Sequence, residues 1–169
     1  MSMQTTMKKR IFLSACLAVL ISTLFCGCKV AKVPAVTQSV PYQVAQNYFV
    51  RNDVKGLPPT VIRNEAEFEK NFGMATVMGP NGRPTEINLN KSFVICLSEA
   101  PTNINTDYSI ISLSQTAAGQ LAVRYAVKRG EKMSSTMQPL MLLIVDRKYD
   151  SLPVKLGGSG VIPWQGYRR

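Results

Sequence analysis

The sequence predicts an α+β fold that is mainly antiparallel β-sheet, curled or partly closed into a barrel, with one short helix packed against it. Apolar segments rich in β-branched residues follow one another through short turns without intervening helices, which is typical of antiparallel sheet. One segment alone has the apolar spacing and the cap residues of a helix. Once an N-terminal leader is removed, the chain of 169 residues suffices for one such domain and not comfortably for two.

The N-terminal segment has the pattern of a bacterial export signal. Three basic residues at positions 8–10 precede an uncharged, mostly apolar run over residues 11–25. This run has the length of a signal-peptide core and is short for a membrane span. It ends at Cys26-Gly27-Cys28, and no A-x-A-like cleavage triplet follows it.

These residues resemble the lipobox of bacterial lipoproteins, in which a cysteine is lipidated and becomes the new N-terminus. The resemblance favours Cys28 over Cys26, because the small Gly27 precedes Cys28 whereas the bulky Phe25 precedes Cys26. It implies a diacylglyceryl thioether and an N-acyl chain such as palmitate, and several acyl chains anchor a protein far more firmly than one. Lys29, where an inner-membrane lipoprotein would carry Asp, favours the outer membrane of the bacterial cell envelope. A non-lipidated secreted protein and an uncleaved anchor remain the alternatives.

The expected organisation therefore has four parts. Residues 1–27 are the signal peptide, and residues 28–46 form a tether extended by Pro34 and Pro41. Residues 47–156 form the single domain. Residues 157–169 form a glycine-rich break followed by an aromatic and basic tail that holds the only tryptophan, Trp164.

The helix is predicted over residues 65–72. Asn64 is a suitable N-cap and Glu67 lies three residues later, as in a capping box. Phe68 and Phe72 share one face, and Gly73 is placed to cap the C-terminus.

The strands are predicted from short apolar or alternating runs between turn signals. A first strand is expected within residues 43–50. The others are expected over residues 93–98, 108–114, 121–127, 140–145 and 152–156, with turns at 79–84 and 117–120.

The residue types argue against an enzyme. The chain contains no histidine, which removes the commonest general base and metal ligand and every Ser-His or Cys-His arrangement. Cys96, the one cysteine left after the leader and the lipidation site, lies in an apolar run and is expected to be a small buried hydrophobe. We expect no cofactor and no metal site.

The charge of the chain is basic but dispersed. Three of the 20 basic residues lie in the leader and all 10 acidic residues follow it, so the remainder carries a net charge of +7. No block of five or six like charges occurs, and an envelope location makes a nucleic acid an unsuitable partner. Acidic glycans, lipid head groups and acidic protein faces are all compatible with this surface, as is a merely solvated one.

The function is therefore expected to be binding, and two segments are predicted as contact loops. They span residues 99–107 and 130–139, and loops at one end of a sheet commonly form a recognition surface. Polar connections between strands and exposed methionines also occur without any function. The residues expected to contact a partner are Thr102, Asn103, Asn105, Thr106, Tyr108, Met133, Ser134, Ser135 and Met137.

The order of elements from residue 93 to residue 148 is similar to the protease-complex-associated domain of the PrcB type. A strand, a Pro/Thr-rich loop that ends in Tyr108, an alternating strand, a hairpin and Ser134-Ser135-Thr136 before a Leu/Ile/Val strand carry the resemblance. The family has a Thr-Gly-Gly-Tyr-like turn where this chain has residues 105–108 without either glycine. The resemblance implies a small β-rich module that binds a protease or a similar protein and catalyses nothing.

Two other functions are compatible with the sequence. The tail around Trp164 and the basic surface suit a binder of envelope glycan, peptidoglycan or lipid, because aromatic residues and arginine dominate binding hot spots. The tail is also compatible with folding back over a sheet edge. The third function is that of a structural subunit of an outer-membrane complex.

Overall fold

The computed structural model describes residues 37–163 except for 77, 80 and 81. The predicted leader, the lipidation site Cys28 and the tail residue Trp164 lie outside the described residues. Within them the chain forms one α-helix, α1, and ten strands. The elements in chain order are β1 (Gln38–Ser39), β2 (Tyr42–Ala45), β3 (Tyr48–Val50), β4 (Val61–Ile62), α1 (Glu65–Asn71), β5 (Phe72–Met74), β6 (Ser92–Ser98), β7 (Thr102–Gln115), β8 (Leu121–Met137), β9 (Leu140–Asp146) and β10 (Val154–Pro163).

The described strands form two four-stranded sheets and one two-stranded sheet. The first, which we call the hairpin sheet, has the strand order β1-β7-β8-β10, and the second, the central sheet, has the order β2-β9-β6-β4. β3 pairs with β5 in the small sheet. The neighbours are antiparallel, as predicted, except that β10 runs parallel to β8. The β-rich fold with one short helix is confirmed, but the sheets are mixed and do not close into a barrel.

The central sheet is buried on both faces, which explains why β6 reads as a continuous apolar run. Successive side chains of a strand point to opposite faces. Phe93 and Ile95 pack against Leu113 and Val123 of the hairpin sheet. The alternate residues, of which Val94 is one, pack on the other side with the helix and the small sheet. The described fold therefore has three layers, and the central one contributes to both hydrophobic clusters.

Helix α1 begins as predicted but ends one residue earlier. The side chain of Asn64 accepts a hydrogen bond from the backbone N–H of Glu67 at 2.9 Å, which confirms the N-cap. Phe72 is already extended and starts β5. The expected C-cap at Gly73 is wrong, because Gly73 pairs with Phe49 in the small sheet, where an added Cβ would collide with the Phe49 ring.

The ends of the predicted domain also differ from the structure. The segment expected to be a tether contains β1 and β2, and Val40 between them is 2% exposed. The glycine-rich segment from residue 157 is a continuation of β10, not a break. In both places backbone pairing with a neighbouring strand overrides a local sequence of proline, glycine and small residues.

Candidate functional site

Strands β7 and β8 form a long hairpin that brings the two predicted contact segments together. The turn at residues 116–120 closes one end, where Gly119 has a φ of 70°. At the other end Thr102 lies opposite Met137, Ile104 opposite Lys132 and Thr106 opposite Arg129. We call residues 102–107 of β7 and 128–137 of β8 the hairpin end.

The hairpin end is made of strands, so the prediction of two loops is wrong. The prediction that the two segments are neighbours at one end of a sheet is confirmed by their pairing. The register shifts twice between Thr102 and Thr106, which marks bulges in the ladder. Polar residues without apolar alternation are typical of a loop, but here the two segments pair as strands, with no partner on β7 for residues 133–136.

The exposure of the predicted contact residues differs from one residue to the next. Four are exposed: Asn105, Ser134, Ser135 and Met137, the last at 54%. Four are partly buried: Thr102, Asn103, Thr106 and Met133. Tyr108 is buried, at 8% exposure, and Trp164 lies outside the described residues. The hairpin end thus presents hydroxyl, amide and methionine side chains to solvent, while Tyr108 points inward.

A cavity of about 210 Å³ lies at the base of the hairpin end. Tyr108 of β7 and Tyr125 of β8 line it on one side, and their rings meet edge to face with centroids 5.9 Å apart. The segment from Leu57 to Thr60 and the C-terminal end of β6 line the remainder. The carbonyl oxygen of Thr60 accepts a hydrogen bond from the N–H of Cys96 at 2.8 Å, which holds that segment against β6.

The Tyr108 hydroxyl is the unusual polar group of this cavity. It is buried and has no hydrogen-bond partner among the described residues. Burial first, and the negative charge of Glu99 second, raise the pKa of this hydroxyl well above its usual range. The hydroxyl therefore keeps its proton at neutral pH, and no described residue accepts a hydrogen bond from it.

An ion pair connects the cavity to the hairpin end. The guanidinium of Arg129 donates to the carboxylate of Glu99 and, at 2.8 Å, to the hydroxyl of Thr106. Both charged side chains are about one third exposed, so their attraction is partly screened by solvent. Ser98 next to Glu99 donates to the carbonyl oxygen of Pro139 at 2.8 Å. These contacts fix the start of β7 relative to the end of β8.

Cys96 also lines the cavity, and its thiol is expected to be unreactive. Cys96 is 3% exposed, and burial raises the pKa of its thiol to about 12. A thiol with this pKa stays protonated at neutral pH, and the thiolate is the reactive form. Within the part of the chain that the structure describes, no three His, Cys, Asp or Glu side chains come together as a metal site.

Sequence reasoning found Tyr108 but missed the cavity beside it. Leu57 and Thr60 come from a proline-containing segment that is about 40 residues away in the chain from Cys96 and about 50 from Tyr108. No local pattern indicates that this segment crosses the end of β6. Glu99 belonged to a predicted loop, but nothing in its spacing predicted the pairing with Arg129.

The fold and the cavity define this chain as a layered, β-rich protein with one short helix and, among the described residues, a small pocket of mixed apolar and polar lining at a strand end. Compared with family models, curated proteins and solved structures, the chain matches none of them. None of the described helices is long and apolar enough to cross a membrane.

Proposed function

We propose that this protein is a lipid-anchored module of the bacterial cell envelope that binds a partner protein through the hairpin end and catalyses nothing. The anchor is Cys28, in the outer membrane. The partner is a protease or a similar protein, as the resemblance to the PrcB-type domain implies. The observation that carries the proposal is the pairing of residues 102–107 with residues 128–137 beside a cavity lined by Tyr108, whose buried hydroxyl has no partner among the described residues.

The exposed composition of the hairpin end supports a protein partner. Met137 is 54% exposed and Met133 is partly buried on the same strand. Methionine is flexible and polarisable, and it adapts to the surface of a partner. The exposed hydroxyls of Ser134 and Ser135 add groups that can donate or accept hydrogen bonds.

The backbone of β7 supports the same interpretation. In the hairpin sheet, β1 pairs only with Gln115 and Ser114 of β7. Within the described residues, the outer edge of β7 from Thr102 towards Ile111 has no other strand beside it. An open strand edge is a template on which a partner segment adds a further strand, with affinity from backbone hydrogen bonds and specificity from side-chain pockets.

The proposal is tested by titrating a panel of serine and cysteine proteases with the protein from Lys29 onward. Stoichiometric inhibition of one protease class is the expected result. If a micromolar excess of the protein inhibits none of the proteases, the proposal that the partner is a protease would be contradicted.

The surface is tested with variants of any protein found to bind. Combined alanine substitution of Thr102, Thr106, Met133 and Met137 is expected to weaken binding. Ala118, in the turn at the opposite end of the hairpin, provides the control when it is replaced by Ser. Unchanged affinity after the fourfold substitution would contradict the assignment of the hairpin end.

A further inference from the structure

A second pocket lies between α1 and the segment of residues 83–89. It encloses about 380 Å³, which falls within the size range of small-molecule sites of roughly 300–1,000 Å³. Its apolar wall includes Phe68 of the helix and Tyr48 of β3, whose rings meet edge to face with centroids 5.3 Å apart. Ile87 and Leu89 contribute aliphatic surface from the other side.

Hydrogen bonds hold the wall of this pocket in place. The hydroxyl of Tyr48 donates to the carbonyl oxygen of Thr85 at 2.7 Å. Gln46 and Thr85 exchange two further bonds: the N–H of Gln46 donates to the Thr85 hydroxyl at 2.9 Å, and the N–H of Thr85 donates to the Gln46 carbonyl at 3.2 Å. The side-chain amide of Asn47, which has a φ of 64°, donates to the carbonyl oxygen of Arg83 at 2.9 Å. The pocket is therefore preformed rather than created by a ligand.

The rim of the pocket carries negative charge in a protein that is otherwise basic. Glu65 and Glu69 lie one turn apart on the pocket face of α1, and Glu86 lies on the facing segment. Arg83 is the one basic residue among the lining residues. The whole chain, by contrast, has 20 Lys and Arg residues and 10 Asp and Glu residues. None of the three glutamates has an ion-pair partner within the described part of the chain.

We propose that this pocket binds a small organic cation that has an aromatic or aliphatic body and a terminal ammonium or guanidinium group. The apolar body would occupy the space between Phe68 and Ile87, where it loses contact with water. The cationic end would lie at the rim, where Glu69 and Glu86 attract it. This site is separate from the hairpin end and does not depend on the function proposed for it.

The test uses three probes of the same shape and different charge: 3-phenylpropylamine, 3-phenylpropan-1-ol and 3-phenylpropionate. Each is titrated into the protein from Lys29 onward at pH 7 while methyl NMR signals are followed. The amine is expected to bind most tightly and the carboxylate least tightly. The signals of Met74 and Ile87, which line the pocket, are expected to shift.

Two charge variants test whether the charges at the rim cause the preference for the amine. Glu69→Gln/Glu86→Gln is expected to weaken binding of the amine by roughly twofold to fivefold, because both glutamates are exposed and their attraction is screened by solvent, and to leave binding of the alcohol unchanged. Arg83→Gln is expected to strengthen binding of the amine. Asp146→Asn, at the exposed end of β9 and outside both proposed sites, is the control and should change neither affinity. The melting temperature of each variant verifies that it is folded.

Three results would overturn the proposal. The first is equal affinity for all three probes, and the second is no binding of any probe at millimolar concentration. The third is binding of the amine that leaves the Met74 and Ile87 signals in place or is insensitive to the glutamate variants.

Discussion

The buried hydroxyl of Tyr108 costs the folded protein stability, because it loses its hydrogen bonds to water and gains no partner among the described residues. We therefore expect Tyr108→Phe to raise the free energy of unfolding by about 1 kcal/mol. Urea denaturation monitored by circular dichroism measures this change. If the hydroxyl serves a partner, the same substitution weakens partner binding while it stabilises the protein.

Tyr48→Phe is the matched control for this substitution. The Tyr48 hydroxyl donates to the carbonyl oxygen of Thr85 at 2.7 Å, so its removal breaks a bond and is expected to lower the free energy of unfolding by about 1 kcal/mol. Destabilisation of similar size in both variants would show that the Tyr108 hydroxyl is satisfied in solution.

The buried thiol of Cys96 makes the free energy of unfolding depend on pH in the alkaline range. Burial raises its pKa from 9.0 to about 12, so the unfolded chain releases this proton at lower pH than the folded protein does. The stabilising contribution is complete below pH 9 and is lost as the pH rises towards 12. Between pH 8 and pH 10.5, the free energy of unfolding of the wild type is expected to fall by roughly 2 kcal/mol more than that of Cys96→Ala.

Denaturation of both proteins at the two pH values under reducing conditions measures that difference. Effects of pH on groups that the wild type and the variant share cancel in the comparison. An equal loss of stability in wild type and variant would mean that the thiol is accessible to water in the folded protein.

At the scale of elements, the cap of α1 is the simplest interaction to test. Asn64→Ala removes the acceptor for the N–H of Glu67 and is expected to lower the free energy of unfolding by about 1 kcal/mol. Asn64→Asp keeps an acceptor and is expected to be nearly neutral. Urea denaturation of the two variants distinguishes them, and equal losses would contradict the role of Asn64 as N-cap.

Elements with a strong local pattern were predictable from the sequence, and elements held by pairing alone were not. The apolar run of β6 and the cap at Asn64 are local signals, and both predictions are confirmed. Strand β1 has only two residues, and the part of β10 beyond the predicted strand at 152–156 begins with Gly157 and Gly158, so neither has a propensity that indicates a strand. They form strands because β7 and β8 offer unpaired edges beside them.

The same difference between local patterns and distant contacts explains which parts of the two sites the sequence did not predict. The sequence indicated that residues 99–107 and 130–139 are neighbours, because both adjoin the ends of predicted strands. The pocket beside α1 joins Tyr48, Phe68 and Ile87, which are separated by about 20 residues from one to the next. Such a juxtaposition is set by the packing of the small sheet and the helix on the central sheet, and no spacing in the sequence predicts it.

At the scale of the whole molecule, the lipid anchor that we propose at Cys28 would determine where the proposed binding surface works. Cys28→Ser is expected to abolish incorporation of labelled palmitate and to move the protein from the membrane fraction to the soluble fraction, because the thioether is lost. Fractionation of producing cells measures both effects. Cys26→Ser is the matched control, and loss of labelling in that variant instead would place the lipid on Cys26.

The central claim is that the hairpin end binds a partner protein, and site-specific photocrosslinking tests it whatever the identity of that partner. A photoreactive phenylalanine analogue is introduced at Ser134 in the hairpin end or at Ala118 in the opposite turn, both of which are exposed. After irradiation of producing cells, our account predicts one discrete protein adduct from position 134 and none from position 118. Adducts of equal yield from both positions, or none from position 134, would contradict it.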